Sequence, residues 1–189
     1  MPERLFRRAV AAPPWWNTGK TLVQIVVLWS IFLGLVPEVI SRIELSLGWS
    51  ALCFTPDERI GAVLFVVFSL GGLWSGYTLS WYGRGTPLPL DTTSQLVVRG
   101  PYAFIRNPMA FTALGQGVSV GLALGSGAVF AYVLAAELVW NFILRPAEEK
   151  DLRLYFGAPY VEYCRQVRCW IPRVVPYRPS QGLADDGSA

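Results

Sequence analysis

The sequence predicts an all-α, polytopic membrane protein with about four transmembrane helices. Of its 189 residues, 53% are hydrophobic and 15% are charged, and the mean hydropathy is +0.39. An ordinary globular domain carries roughly 25% charged residues. Several apolar runs also approach the roughly 20 residues that a helix needs to cross the hydrocarbon layer. We therefore expect one membrane domain over residues 1–176 and a polar, disordered tail over residues 177–189.

The first two predicted spans are long single runs, over residues 21–40 and 60–82. The basic residues before the first span resemble a signal peptide, but the run exceeds a signal core of about 7–15 residues, so we expect an uncleaved anchor. In the second span, Gly72 and a further glycine one turn later would let a neighbouring helix approach closely, although glycine is also common in membrane helices. Residues 44–56 predict an interfacial connector anchored by aromatic side chains such as Phe54.

The third and fourth predicted spans form a helical hairpin, over residues 109–124 and 128–145. Each is short for a membrane helix, and only the uncharged turn Gly125, Ser126 and Gly127 separates them. A turn of this length joins antiparallel neighbours. The sequence therefore predicts a tightly connected pair in the C-terminal half, followed by a cytoplasmic helical segment that folds back.

The distribution of Lys and Arg predicts the topology. Four spans place 14 of the 16 basic residues on one side and two on the other. By the positive-inside rule, both termini, the middle loop and the active site would then be cytoplasmic, and the lipid bilayer is a partner. The same rule accounts for the net charge of +3, so we expect no nucleic-acid partner. The three cysteines lack metal-ligand spacing, so we expect no metal and no disulfide.

The chemistry is restricted by what the sequence lacks. It contains no histidine, which removes the usual general base and the Ser-His-Asp arrangement. Neither a Rossmann fingerprint nor a P-loop is present. What remains is a reaction that depends on positioning and electrostatics, and methyl transfer from a sulfonium donor is of this kind because it requires no protein nucleophile.

Polar residues in the fourth span predict a site. Continued as a regular helix, the span places Glu137, Asn141, Arg145 and Glu148 on one face. A carboxylate inside a span costs free energy unless it has a partner or faces a wet cavity, which favours a binding role for Glu137. A purely structural contact with a neighbouring helix explains Glu137 equally well. Pro146 predicts a kink beside this stripe.

A second polar group lies where the middle loop enters the third span. Asn107 can cap that helix and Pro108 can occupy its first position. The functional alternative is that free amide groups at this helix start, with Arg106, receive an anionic or adenosyl group. Glu148 and Glu149 are expected at the same level, although a helix beginning after Pro146 would also favour acidic residues there.

The C-terminal segment is rich in aromatic residues, which membrane rules alone would place at the headgroup level. Gly157 and Pro159 predict a break between two short helices that could cover the hairpin ends as a lid. The aromatic residues concerned are Tyr155, Phe156, Tyr160, Tyr163 and Trp170.

Several motifs together resemble the isoprenylcysteine carboxyl methyltransferase and phospholipid methyltransferase superfamily of integral membrane enzymes. The resemblance covers about ninety residues, in order and with family spacing. The motifs are GRGTPLP (residues 83–89), LVVRGPY (96–102), RNPM (106–109) and the run from EE to IP (148–172).

The resemblance implies methyl transfer from S-adenosylmethionine to a prenylcysteine carboxylate, a phospholipid amine or a small thiol. It also implies Arg145 as a candidate for holding a carboxylate of the substrate. The polar positions described above add Glu149 beside Arg145 as a catalytic candidate, and Glu137 and Asn141 beside Arg145 as candidate substrate contacts. Two positions depart from the family pattern, because Asn107 replaces a frequent His and Ala110 replaces an aromatic residue. The candidate cofactor contacts are Gln95, Leu96, Val97, Tyr102, Arg106, Asn107, Pro108, Met109, Ala110 and Glu148.

Two other functions compete with this interpretation. The first is a reductase resembling the sterol reductases, in which Arg153, Arg165 and Arg168 would hold the 2′-phosphate of NADPH. The second is a non-catalytic scaffold or lipid-binding protein, which predicts that the polar stripe is internally paired. Comparing the binding of S-adenosylmethionine with that of NADPH discriminates among the methyltransferase, the reductase and the scaffold.

Overall fold

The computed structural model describes Arg7, Arg8 and residues 13–49, 53–83 and 91–179. Helices dominate these residues and confirm the all-α prediction. Most of the GRGTPLP motif, residues 50–52 of the connector and residues 180–189 of the predicted tail lie outside the described residues. A two-residue parallel pairing joins β1 (Arg7–Arg8) to β2 (Asp91–Thr92).

Seven α-helices account for the membrane and C-terminal regions within the described ranges. A 3₁₀ turn, Gly100–Ala103, lies in the middle loop. The helices are α1 (Pro14–Trp29), α2 (Val36–Ser46), α3 (Glu58–Gly83), α4 (Pro108–Leu124), α5 (Gly127–Val139), α6 (Arg145–Phe156) and α7 (Ala158–Gln166).

Three helical stretches in the described part of the chain are long and apolar enough to cross a membrane. They are Trp15–Ser46, Glu58–Gly83 and Gly127–Phe156, and the apolar helix Pro108–Leu124 is shorter. Each of the four predicted spans coincides with an apolar helix, but only three of these reach membrane length in the described part of the chain. The first and last helices extend well past the predicted ends at residues 40 and 145.

Both long composite helices contain a π segment shortly before a proline. Ser30–Leu35 precedes Pro37, and Trp140–Leu144 precedes Pro146. A proline cannot donate to the carbonyl four residues earlier, and its ring crowds that carbonyl. A wider π turn relieves this conflict without ending the helix, so Pro146 lies in a continuous helix rather than at a helix break.

The chain divides into two compact units, and a single membrane domain over residues 1–176 stays a prediction. Unit 1 comprises Met1–Thr21, Trp74–Pro108 and Arg145–Ala189; unit 2 comprises Leu22–Leu73 and Met109–Leu144. Unit 1 thus contains the middle loop and the C-terminal helices. Unit 2 contains most of the apolar helical segments.

In unit 2, small residues let α3 and α4 pack closely. A Cβ at Gly72 would lie 3.2 Å from Thr112 Oγ1, and one at Gly61 would lie 2.7 Å from the Ala123 Cβ. This confirms the close approach predicted at Gly72. Across the same pair of helices, Gln116 Nε2 donates to Ser69 Oγ at 2.9 Å.

The predicted hairpin turn is confirmed, and the connector packs against it. Gly125 has φ of +62°, and a Cβ there would lie 2.5 Å from the Phe54 carbonyl oxygen. The Phe54 amide donates to the Gly125 carbonyl at 3.0 Å, and the Phe54 ring contacts Phe130. Phe54 is therefore partly engaged in protein packing, whereas we expected an interfacial anchor.

Glu44 was missed by sequence reasoning and stabilises the start of α5. Ser126 is the N-cap residue, and its Oγ accepts from the Val129 amide at 3.1 Å. The same hydroxyl donates to Glu44, whose other carboxylate oxygen accepts from the Ala128 amide at 3.1 Å. A carboxylate at a helix N-terminus satisfies amides that lack helical partners, so the buried charge has a structural role.

Candidate functional site

The middle loop is fixed to the end of α3. The Ser94 amide and hydroxyl both donate to the Gly83 carbonyl, at 2.9 and 3.1 Å. A Cβ at Gly83 would lie 2.8 Å from Thr93 and 3.0 Å from Val97, so only glycine allows this approach. The loop then turns through the Gly100–Ala103 segment, which buries Tyr102.

The C-terminal segment folds back onto this loop, as predicted. The two helices α6 and α7 are separated at Gly157, which has φ of +57°. Tyr163 donates its hydroxyl proton to the Tyr102 carbonyl at 2.7 Å. Three further hydrogen bonds join the segments: Arg106 N to Arg168 O at 2.9 Å, Arg173 N to Phe104 O at 2.8 Å, and Tyr177 N to Ala103 O at 2.8 Å.

A small aromatic core holds the fold-back in place. Tyr160, Tyr163, Val167 and Tyr177 are buried together. The headgroup-level interpretation is therefore wrong for Tyr160 and Tyr163, since both are only 2% exposed within the protein. Tyr177, which we assigned to the polar tail, also belongs to this core because its ring packs on Tyr163.

Three arginines surround one carboxylate in unit 1. Glu149 Oε1 lies 3.1 Å from Arg106 Nη2 and 3.7 Å from Arg145 Nε. Its second oxygen lies 3.6 Å from Arg153 Nη2. Glu149 and Arg106 have only 16% and 17% of their side-chain surface exposed, so water screens this pair weakly. The sequence predicted Glu149 at the same level as Arg106, and the structure brings the two side chains into contact.

The arginine cluster formed by Arg106, Arg145 and Arg153 around Glu149 contains N–H groups that make no hydrogen bond within the described part of the chain. The Nε atoms of Arg106 and Arg145 are buried and have no hydrogen-bond partner among the residues that the structure describes. The four ion-paired side chains carry three positive charges and one negative charge. An open cavity of about 350 Å³ borders the cluster at Glu149 and Arg153, and its other lining residues are Pro146, Lys150 and Leu154. Such a group is suited to bind an anion.

Electrostatic coupling connects the cluster to the buried tyrosines. Burial lowers the pKa of Arg106, but the Glu149 carboxylate and the Cys164 side chain outweigh this effect and raise it above its ordinary value. Burial raises the pKa of Tyr102 well above its ordinary value, and the nearby Glu148 adds to the rise. Arg106 thus stays charged and Tyr102 stays protonated at neutral pH.

The remaining candidate cofactor residues differ in exposure. Gln95 is exposed, Leu96 is half-buried and Val97 is buried. Helix α4 begins at Pro108, as predicted, with Asn107 directly before it. Met109 and Ala110 occupy the first turn of α4 and belong to unit 2. The binding roles of all these residues stay predictions.

The spacing of Glu137, Asn141, Arg145 and Glu148 does not by itself place these residues on one face of the helix. The predicted polar stripe assumed a regular α-helix, but Asn141 lies in the π segment Trp140–Leu144, between Glu137 and Arg145. A π turn shifts the angular position of every later residue, so one face cannot be read from intervals of four. Glu137 Oε1 is buried and lacks a hydrogen-bond partner within the described ranges, so this oxygen is not used in an interhelical contact.

Two contributors were not among the residues predicted for the methyltransferase site, although Arg153 was a candidate NADPH contact in the reductase alternative. Arg153 contacts Glu149 from the next turn of α6, and the i, i+4 series Arg145, Glu149, Arg153 was visible in the sequence. Cys164 interacts with both Arg106 and Tyr160. Its position depends on the fold-back of α7, for which the sequence gave only a general expectation.

The described residues thus define a membrane-type helical protein with a partly buried charged cluster beside its middle loop. Among known protein families, the sequence model of the phospholipid methyltransferase family matches residues 58–158. The chain belongs to this family of membrane methyltransferases, which confirms the superfamily resemblance. No curated protein matches the chain.

Proposed function

We propose that this protein transfers a methyl group from S-adenosylmethionine to a lipophilic or membrane-partitioned acceptor. One observation carries the proposal: in unit 1, the Nε donors of Arg106 and Arg145 are buried and make no hydrogen bond among the described residues, although Arg145 Nε lies 3.7 Å from the Glu149 carboxylate. Buried donors without partners are costly, and an anionic ligand would satisfy them. Family membership supports methyl transfer as the reaction class.

The residues present fit this cofactor. S-adenosylmethionine supplies an activated methyl group on a positively charged sulfur, and it also carries a carboxylate, an ammonium group and ribose hydroxyls. Arg106 would bind the carboxylate through its free donor. Glu148 would accept hydrogen bonds from ammonium or hydroxyl groups. Tyr102 lies close enough to Glu148 for this carboxyl group to raise the pKa of the tyrosine.

Glu149 has a positioning role in this proposal. Its carboxylate already contacts three arginines, so it is poorly suited to accept a proton from an acceptor. It instead fixes the orientation of Arg106 through Nη2, which leaves the Arg106 Nε donor available, and it holds Arg145 through an ion pair. Positioning and exclusion of water supply most of the rate in a reaction of this kind.

The acceptor would be recognised by groups outside the cofactor-binding residues. Arg145 can bind an acidic group of the acceptor, since it is 27% exposed and its Nε makes no hydrogen bond within the described ranges. Glu137 and Asn141 are separate candidates in unit 2, where a buried Glu137 oxygen without a hydrogen-bond partner among the described residues lies in an otherwise apolar helix. A polar group in such a helix favours a functional role.

The direct test is ligand binding to the purified full-length chain in detergent. S-adenosylmethionine and NADPH are titrated separately by calorimetry, and thermal unfolding is followed with each ligand. We expect saturable binding and stabilisation with S-adenosylmethionine alone. Stabilisation by NADPH alone would instead support the reductase, and no response to either ligand would support the scaffold.

A first mutational prediction concerns Glu148→Gln. Loss of the carboxylate acceptor should weaken S-adenosylmethionine binding by roughly tenfold, since a hydrogen bond contributes about 0.5–1.5 kcal/mol and more when a partner such as the cofactor's ammonium group is charged. Thermal stability without ligand should change little. Glu162→Gln, which alters an exposed pair with Arg165, is the matched control. Equal affinities for the two variants would remove Glu148 from the site.

A further inference from the structure

The C-terminal segment carries an apolar surface that the proposed function does not use. Ile171, Val174 and Val175 are 57%, 96% and 66% exposed. These side chains lie outside the three membrane-length helices and outside the aromatic core formed by Tyr160, Tyr163, Val167 and Tyr177. We call residues 171–175 the apolar loop.

The apolar loop is held in place at both ends. The Arg173 amide donates to the Phe104 carbonyl at 2.8 Å, and Arg173 Nη1 donates to the Gln166 carbonyl at 3.0 Å. Four residues later, the Tyr177 amide donates to the Ala103 carbonyl at 2.8 Å. Val174 and Val175 lie between these attachments, so their outward position is built into the fold rather than produced by a free chain end.

The attachment points place the loop close to the start of a membrane helix. Phe104, which accepts from Arg173, precedes Pro108 by four residues, and α4 begins at Pro108. Four residues span at most about 14 Å, even when fully extended. The loop is therefore attached close to the end of the apolar helix α4, and the end of a helix that enters a bilayer lies at its headgroup layer.

The charge of the surrounding segment fits an anionic surface. Residues 167–179 contain three arginines and no acidic residue. Arg168 and Arg178 are exposed, on either side of the apolar loop. Exposed apolar side chains flanked by arginines are typical of segments that lie at a membrane interface, where anionic lipids attract the positive charges.

We propose that the apolar loop is a membrane-contact site that inserts Ile171, Val174 and Val175 into the headgroup region of a leaflet containing anionic phospholipids. Arg168 and Arg178 provide the electrostatic attraction. Hydrogen bonds from Arg173 and Tyr177 join this segment to Phe104 and Ala103. Contact of the apolar loop with the membrane therefore also stabilises the folded-back position of the C-terminal segment on the middle loop. The lipids concerned bind as a surface, separately from any methyl acceptor.

The test places an environment-sensitive fluorescent amino acid at position 174 of the full chain in lipid nanodiscs. The matched control carries the same fluorophore at position 165, where Arg165 is exposed on α7. Discs contain phosphatidylcholine alone or mixed with phosphatidylglycerol, and the quenchers are aqueous iodide and nitroxides attached at the lipid headgroup. Neither the emission nor the quenching of the label requires cofactor or activity. A negative result would therefore contradict the membrane contact without bearing on the proposed methyl transfer.

In discs with phosphatidylglycerol, the label at position 174 should show blue-shifted emission and severalfold stronger quenching by headgroup nitroxides than the label at position 165. Combined Arg168→Gln and Arg178→Gln substitutions should reduce both effects. Iodide quenching at position 174 equal to that at position 165 in both bilayers would overturn the proposal. So would shielding in detergent that increases with protein concentration, because a second copy would then cover the loop.

Discussion

Glu149 holds three arginines at once, since its carboxylate oxygens lie 3.1–3.7 Å from Arg106, Arg145 and Arg153. We predict that Glu149→Gln lowers the free energy of unfolding by about 1–3 kcal/mol, because partly buried like charges lose their counter-ion. It should also weaken S-adenosylmethionine binding, because Arg106 loses its orientation. Thermal unfolding in detergent and calorimetry measure the two effects.

The same exchange in an exposed pair is the control for this prediction. Glu162 contacts Arg165 on α7, where the arginine is 75% exposed, so Glu162→Gln should cost at most about 1 kcal/mol. An unfolding temperature for Glu149→Gln within the range of the control would show that the arginine cluster contributes no more than a surface pair.

Three buried tyrosines predict a dependence of stability on alkaline pH. Burial raises the pKa of Tyr102, Tyr160 and Tyr163 above the ordinary 10.0. Above about pH 10 the unfolded chain therefore loses protons that the folded protein retains, so stability is fully present below that pH and falls as pH rises. Three such groups reduce the free energy of unfolding by about 4 kcal/mol per pH unit.

Absorbance of the tyrosinate band and circular dichroism, recorded together during an alkaline titration, test this dependence. Part of the tyrosine ionisation should coincide with loss of helix, and Tyr160→Phe should reduce the pH slope by about a third. Full ionisation of all eight tyrosines while the helices remain would contradict the burial of these three side chains.

The sequence predicted single residues well where local chemistry determines their position. Pro108 begins α4 because proline suits the first helical turn, and Arg145 and Glu149 interact because they are four residues apart on a helix. The contact of Arg106 with Glu149 could not be derived in the same way. It requires a fold-back whose register depends on tertiary hydrogen bonds.

Among the elements, the hairpin turn depends most strongly on one residue. Gly125→Ala should lower the free energy of unfolding by about 1–3 kcal/mol, since φ of +62° disfavours other residues and the new Cβ would lie 2.5 Å from the Phe54 carbonyl oxygen. Gly19→Ala in α1 is the control, because no atom lies within 4 Å of that Cβ position. It should stabilise by at most about 1 kcal/mol. Similar unfolding temperatures for the two variants would refute the steric role of the turn.

Helix ends were harder to predict than helix existence. Hydropathy identified four spans, but polar residues extended two helices beyond the apolar runs, and Glu44 became a cap for α5 instead of part of a connector. The π segments before Pro37 and Pro146 also escaped prediction. Proline normally predicts a break, and its accommodation inside a helix depends on packing that a single sequence does not encode.

At the scale of the whole molecule, charge and fold agree. Unit 1 contains 14 of the 16 Lys and Arg residues, and unit 2 contains the remaining two, Arg42 and Arg59. The three segments that the positive-inside rule assigned to one side of the membrane are therefore those that build unit 1. This agreement supports the proposed topology, in which both termini and the candidate site are cytoplasmic.

Labelling with a membrane-impermeant maleimide tests this topology in intact cells. In a variant whose three native cysteines are replaced by serine, Leu47→Cys follows α2 and Arg165→Cys lies on α7; both positions are exposed. We predict that the first reacts from outside and that the second reacts only after the membrane is permeabilised. The reverse pattern would place unit 1 on the outer side, away from the cytosolic supply of S-adenosylmethionine, and would contradict both the charge rule and the proposed reaction.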